Sequence, residues 1–261
     1  MNSLNKRESA PIENSTIEAQ MGHRTIRAFT DEPLTEDELT TLYEVARHTA
    51  SSSFLQQTTI IRVTDPVVRE RLHAASGQPY VGGTRGELLV FVADQYRNSR
   101  IREEGGVDNA PLHRTNLLLT ALHDALLAAQ NVVVAAESMG LGTCYLGSIH
   151  ADPRAVIEAL GLPELTFPVL GLLVGHPDQE PQFKPRLPLS VIVAENSYPK
   201  VDSYSELIAD YDEIITDYYD MRDTSKRTES FSTLVRTTIG VAGAHVSPIL
   251  EVLNEQGFAL E

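Results

Sequence analysis

The feature that most constrains this chain is an apolar run from Asn116 to Ala136, inside a stretch from about Ala110 to Met139 that reads as one long helix. The stretch is apolar around most of its circumference, and Gly140 supplies its C-cap. His123, Asp124, Gln130 and Asn131 interrupt the run, so it reads as a buried helix of a soluble protein rather than a membrane span. Such a helix belongs at the centre of a large core or at a subunit interface. Charge narrows the partners: 36 acidic residues against 21 Lys and Arg give a net charge of -15. That balance repels phosphate backbones and anionic membrane surfaces, so neither nucleic acid nor membrane is expected as a partner. It also makes any cluster of cations informative. Cys144 is the single cysteine, which excludes an intramolecular disulfide framework and a multi-thiolate metal site and fits a reducing compartment. The first residues lack the apolar core of a secretory signal, so a cytoplasmic location is expected.

Around the long helix the punctuation is clear. Thr35-Glu36-Asp37-Glu38 has the form of a capping box and opens a helix over 36–48. A Ser-rich loop at 49–54 leads to a β-branched strand at 58–63, and Asp65-Pro66 starts a helix that runs to about Ala75. Residues 87–93 and 169–175 read as buried strands, and a helix runs between Asp152-Pro153 and Gly161. A Pro-rich loop with Lys184 and Arg186 runs into apolar residues 190–194, expected as a strand. Helices are expected over Tyr204–Met221 and His245–Gln256, with a Thr/Ser/Lys/Arg-rich loop between them. The chain therefore divides into a flexible leader (1–14), a main domain (15–200) and an acidic helical extension (201–261). Residues 202–261 hold 12 acidic and 4 basic side chains, so more than half of the net charge lies there.

Several short constellations could carry chemistry. Arg24 and Arg27, three apart, would share one side of a helical turn, either forking onto a phosphate or carbonyl or pairing with Asp31 and Glu32. Ser51-Ser52-Ser53 offers hydroxyls that can read a heterocycle or serve as a plain linker, and Gln78 sits in a Gly-Gln-Pro turn. Gly140-Leu141-Gly142-Thr143-Cys144-Tyr145-Leu146-Gly147-Ser148 follows a helix and leads into a short strand, the reverse of a dinucleotide fingerprint, so a nicotinamide Rossmann site is rejected. It can bring bare backbone N–H groups against a flat ligand at Gly147. Cys144 reads as a small core residue rather than a nucleophile. Lys184-Pro185-Arg186-Leu187-Pro188 holds two cations in a stiffened loop. No His-Glu-x-x-His and no Gly-x-Ser-x-Gly occurs.

The order of these pieces, from His-Arg-x-Ile-Arg-x-Phe at 23–29 through the serine loop, Gly-Gln, and Gly-x-Gly-x-x-x-Leu-Gly to Lys-Pro-Arg-Leu-Pro-Leu, resembles the nitroreductase family. Within it, the chain is similar to the branch of oxygen-insensitive, NADPH-dependent nitroreductases and flavin reductases. Tyr211-Asp212-Glu213, Tyr218-Tyr219, Arg222, Phe231-Ser232 and Leu253-x-x-Gln256-Gly257-Phe258 extend the likeness into the tail. The resemblance implies an α+β fold, a central and mostly antiparallel sheet flanked by helices with a C-terminal helical extension, in an intertwined homodimer holding FMN at its interface.

Carried onto this chain, the resemblance places His23, Arg24, Lys184 and Arg186 at the phosphate and ribityl end of FMN and Arg27 at the pyrimidine edge. Ser51, Ser52, Ser53 and Gln78 fall around the ring, some of them supplied by the other subunit. Tyr145, Leu146, Gly147 and Ser148 line its face and edge with backbone donors. No side chain in this set is an acid, base or nucleophile, so the cofactor carries the redox chemistry. The implied cycle is ping-pong, with NADPH as donor and a nitroaromatic, quinone or free flavin as acceptor. Two alternatives remain: a dedicated FMN reductase serving a monooxygenase, and a non-catalytic flavin carrier. Val246 stands where the branch has an arginine, which leaves Lys226 and Arg227 to read the NADPH phosphate and the choice between NADPH and NADH open.

Overall fold

The computed structural model describes residues 12–222, 230–239 and 247–259. In chain order the elements are α1 (Ser15–Met21), α2 (Glu36–Arg47), β1 (Thr58–Val63), α3 (Pro66–Ser76), β2 (Glu87–Asp94), α4 (Tyr96–Glu104) and α5 (Thr115–Ser138). There follow β3 (Gly142–Leu146), α6 (Pro153–Leu160), β4 (Thr166–Gly175), α7 (Leu189–Ile192), α8 (Tyr204–Leu207), α9 (Ala209–Arg222), α10 (Phe231–Thr238) and α11 (Ile249–Glu255). The chain forms two compact units, residues 14–181 with 247–259 and residues 182–222 with 230–239.

The first unit is built on one antiparallel sheet of order β1-β2-β4-β3. Successive side chains of a strand point to opposite faces, and β2 uses both. Leu89, Phe91 and Ala93 pack with Leu39 and Leu42 of α2 and Ala121, Ala125 and Val132 of α5. Leu88, Val90 and Val92 pack on the other face with Leu72 of α3 and Val156 of α6. This double burial explains why β2 reads as a continuous apolar run rather than an alternating one. The helix starts are those the sequence announces: Thr35 and Glu38 form the reciprocal capping box, and Asp65 accepts from the Val67 and Val68 amides ahead of Pro66.

Residues 110–139 do not form one uninterrupted helix. Ala110–His113 is a 3-10 turn, Arg114 is extended, and the α-helix starts at Thr115. The break is held by tertiary contacts, since Leu112 packs with Val252 and Phe258, and the His113 ring meets the Gly257 carbonyl at 2.6 Å. Residues 247–259 thus complete the first unit, with Arg154 paired to both Glu251 and Glu255 and Gln256 donating to the carbonyls of Pro163 and Thr166. These contacts, and the loop from Gln182 onward, place the boundaries between units away from 200/201.

In the second unit, Ile208, Tyr211 and Ile215 form a small core with Leu187, Val191 and Phe231. The strand expected at 190–194 is instead the single helical turn α7. Leu189–Ile192 close one helical turn, with the Val193 amide on the Leu189 carbonyl, and Leu187 and Val191 both pack on this core. The helix expected over 204–221 breaks at Ile208 into α8 and α9. α10 lies where a loop was expected, capped by the Ser230 hydroxyl, while the Asp212 carboxylate accepts from the Ser232 amide.

Close approach fixes one glycine. A Cβ on Gly142 would stand 2.7 Å from Cγ1 and 2.8 Å from Cβ of buried Ile26. Gly142→Ala is therefore expected to destabilise the fold by about 1 to 3 kcal/mol, the usual result of overpacking a filled core. Denaturant unfolding checks this, and an unchanged midpoint would show that the 23–29 segment yields freely.

Candidate functional site

The segment carrying His23, Arg24 and Arg27 runs alongside β3, an edge of the sheet. The Ile26 amide donates to the Thr143 carbonyl at 2.8 Å, and Thr25 bridges Thr143 in parallel sense. This backbone pairing spaces the basic side chains along the edge. His23 Nδ1 lies 2.6 Å from Glu137 Oε1, which also accepts from the Thr143 hydroxyl at 2.8 Å. Arg24 reaches Glu180 at 3.3 Å and lines a cavity of about 340 Å³ with Gly22, Ile26, Glu137, Gly140 and Gly142. The alternative pairing with Asp31 and Glu32 does not occur for Arg24, and Asp31 is taken by Arg85.

Arg27 is exposed, its guanidinium carbon 5.7 Å from the centre of the Tyr80 ring. Tyr80 and half-buried Gln78 share one turn, closed by the Val81 amide on the Gln78 carbonyl, so Arg27 and Gln78 come to one place. Cys144 is 2% exposed, and burial pushes its thiol up despite the nearby positive charge of Arg27. It is a core residue, as expected, and a poor nucleophile.

Beyond Cys144, the half-buried Tyr145 donates its hydroxyl to Gln130 at 2.9 Å, and burial, aided by the Glu137 charge, pushes the phenol well up. The Leu146 side chain is buried against Gly171, so only its backbone is available to a ligand. Gly147 is exposed, with no atom within 4 Å of where a Cβ would stand. The Ser148 hydroxyl is buried without a partner among the described residues.

Ser51, Ser52 and Ser53 lie elsewhere. They precede β1, the opposite edge from β3, so about three inter-strand spacings, or roughly 14 Å, separate them from Gly147. One copy of the chain does not bring them to Arg27. Ser51 borders a second cavity of about 710 Å³, lined by residues such as Tyr43, Ala46, Leu55, Ile60 and Ile101. In the second unit Arg186 donates to the Lys184 carbonyl at 2.8 Å, and buried Tyr211 holds this loop through the Pro185 carbonyl at 3.2 Å. Lys226, Arg227 and Val246 lie outside the described residues.

Sequence reasoning missed Glu137, Tyr80 and Asp124 as supports of the site. Glu137 left one signal: an acidic side chain in the last turn of a helix opposes the helix dipole, which implies a specific partner such as His23. Asp124 left another, a charge in the middle of an apolar helix.

The Nitroreductase family matches residues 21–176, and the Nitroreductase family, C-terminal domain, matches residues 184–261. The chain belongs to the nitroreductase family. It is 42% identical over 222 residues to an FMN reductase (NADPH) of Bacillus subtilis, covering 84% of this chain and 89% of that one. It is 39% identical over 244 residues to an oxygen-insensitive NADPH nitroreductase of Salmonella typhimurium, covering 94% and 98% respectively. The structure of an NADPH:FMN oxidoreductase from Vibrio harveyi, complexed with NAD+, superposes with a TM-score of 0.82 at 36% identity, covering 95% of this chain and 100% of that one.

Proposed function

We propose that the chain is an FMN-dependent oxidoreductase that takes a hydride from NADPH and reduces nitroaromatics, quinones or free flavin. The observation that carries this reading is the β3 edge, where Arg24 and Arg27, in a chain of net charge -15, flank a strand that ends in the uncovered backbone of Gly147. A flat anionic cofactor suits such an edge: the arginines meet negative charge, Gly147 lets a ring lie against the main chain, and the Ser148 hydroxyl has spare hydrogen-bonding capacity.

When bound, FMN would accept and return the hydride; the protein's side chains supply position and charge. His23 and Arg24, with Lys184 and Arg186, would hold the phosphate and ribityl end. Arg27 would stand at the pyrimidine edge and stabilise negative charge there. Gln78, Tyr145, Leu146, Gly147 and Ser148 would frame the ring, and Lys226 and Arg227 would meet the NADPH phosphate.

The serines on the opposite edge support a homodimer in which the second copy supplies Ser51, Ser52 and Ser53. α5 supports the same assembly. By length and composition it could cross a bilayer, yet it buries Ala121, Ala125, Ala129 and Val132 in the sheet's core and leaves Leu119, Leu126 and Leu127 about half exposed. A second copy would cover that face. Steady-state rates with NADPH and a quinone varied together test the function. Parallel double-reciprocal lines are expected, and intersecting lines would contradict the ping-pong exchange.

A further inference from the structure

The loop from Ser51 to Gln57 has an unusual backbone. Ser53, Phe54 and Gln56 have φ of 51°, 59° and 50°, the left-handed region that side chains other than glycine disfavour. Its own packing does not hold it there, for Phe54 is 82% exposed and Leu55 47%. Arg97 and Asn98 donate to its Gln56 and Leu55 carbonyls, and a buried carboxylate takes its amides. Asp124 of α5 is 4% exposed; its Oδ1 accepts from the Ser52 amide at 2.8 Å and its Oδ2 from the Gln57 amide at 3.1 Å and the Gln57 side chain at 3.2 Å. The two oxygens thus grip both ends of the strained stretch.

Neighbours on the same face of α5 complete the clamp. Thr120 donates to the Gln57 side-chain oxygen at 3.2 Å, and Asn131 donates to the Thr49 hydroxyl at 2.8 Å. Positions 120, 124 and 131 fall within about 40° of arc on a helix of 3.6 residues per turn. This polar stripe borders the half-exposed Leu127, so the loop is tied to the helix that a second copy would cover.

We infer that Asp124 is a positioning residue of the flavin site: its carboxylate holds the Ser51–Gln57 loop in the left-handed backbone that presents the three serines to the ring. This rests on the FMN reading above. The carboxylate acts through the Ser52 and Gln57 amides. Asp124→Asn keeps the volume but sets an NH2 donor against a backbone N–H, so one end of the grip is lost.

The test uses full-length Asp124→Asn protein, titrated with FMN and with riboflavin, which lacks the phosphate. Both are expected to bind at least about tenfold more weakly and by the same factor, because the loop meets the ring. At saturating FMN, the visible circular dichroism of the bound flavin should also change, which a merely less stable protein would not show. Unchanged affinity and spectrum, or a loss confined to FMN, would overturn the inference. If the parent protein itself takes up no FMN, the functional reading fails instead. Should Asp124→Asn not fold, hydrogen exchange of the flavin-free parent decides: the Ser52 and Gln57 amides are expected to be protected, and exchange at the rate of open chain would overturn the clamp.

Discussion

Lys184→Ala/Arg186→Ala protein is expected to bind FMN at least about a hundredfold more weakly while binding riboflavin nearly as well as the parent. The reason is local. Prolines flank the two cations, and Tyr211 ties down the Pro185 carbonyl, so the loop presents them in one arrangement rather than many. A charge-assisted hydrogen bond to phosphate contributes about 1.5 to 3 kcal/mol, so two lost contacts amount to roughly 3 kcal/mol or more. At 1.4 kcal/mol per decade, that is over a hundredfold. The effect should shrink as salt is raised, because exposed cations are screened. Fluorescence titration with the two flavins checks it. Equal losses for FMN and riboflavin would show that the loop does not read the phosphate.

Arg27→Ala is expected to separate rate from binding. The guanidinium is exposed and rests beside the Tyr80 ring, so its charge is available to whatever occupies the edge. A cation at the pyrimidine edge interacts most strongly with the flavin once negative charge has arrived there. Removing such a group in an enclosed site costs about 2.7 to 4 kcal/mol, and this open edge should give less, roughly a ten- to hundredfold slower reduction by NADPH. FMN affinity should fall by much less. Stopped-flow reduction of the saturated variant measures the first and titration the second. Equal reduction rates in variant and parent would remove Arg27 from this role.

Much of the architecture was legible because local signals and tertiary demand agree. The capping box at Thr35, the Asp-Pro starts at 65 and 152, and the doubly buried strands at 87 and 166 all carry their instructions within a few residues. Errors fell where distant contacts overrule local pattern. β-branched residues near 190 look like a strand, but 189–192 close a helical turn whose Val191 packs on the Tyr211 core. The break at Arg114 depends on Leu112 and His113 meeting residues more than a hundred positions away.

The candidate site divides the same way. Cations and glycines along 23–29 and 140–148 were visible as motifs, and the pairing of Ile26 with Thr143 brings these two segments side by side. Their supporting residues were not visible as such. Glu137 beneath His23, and Asp124 beneath the serine loop, acquire meaning only when α5 is laid across both. Strand order alone then reveals that the serine loop and Gly147 sit at opposite edges, which no spacing along the chain could show.

The most direct test of the central claim is an anaerobic titration of the purified, FMN-saturated protein with NADPH, followed in the visible spectrum. Flavin bound in the proposed site should bleach fully with about one equivalent of NADPH and regain its colour when a quinone is added. A flavin-loaded protein whose spectrum NADPH leaves unchanged would contradict the account, and so would a purified protein that retains no FMN at all.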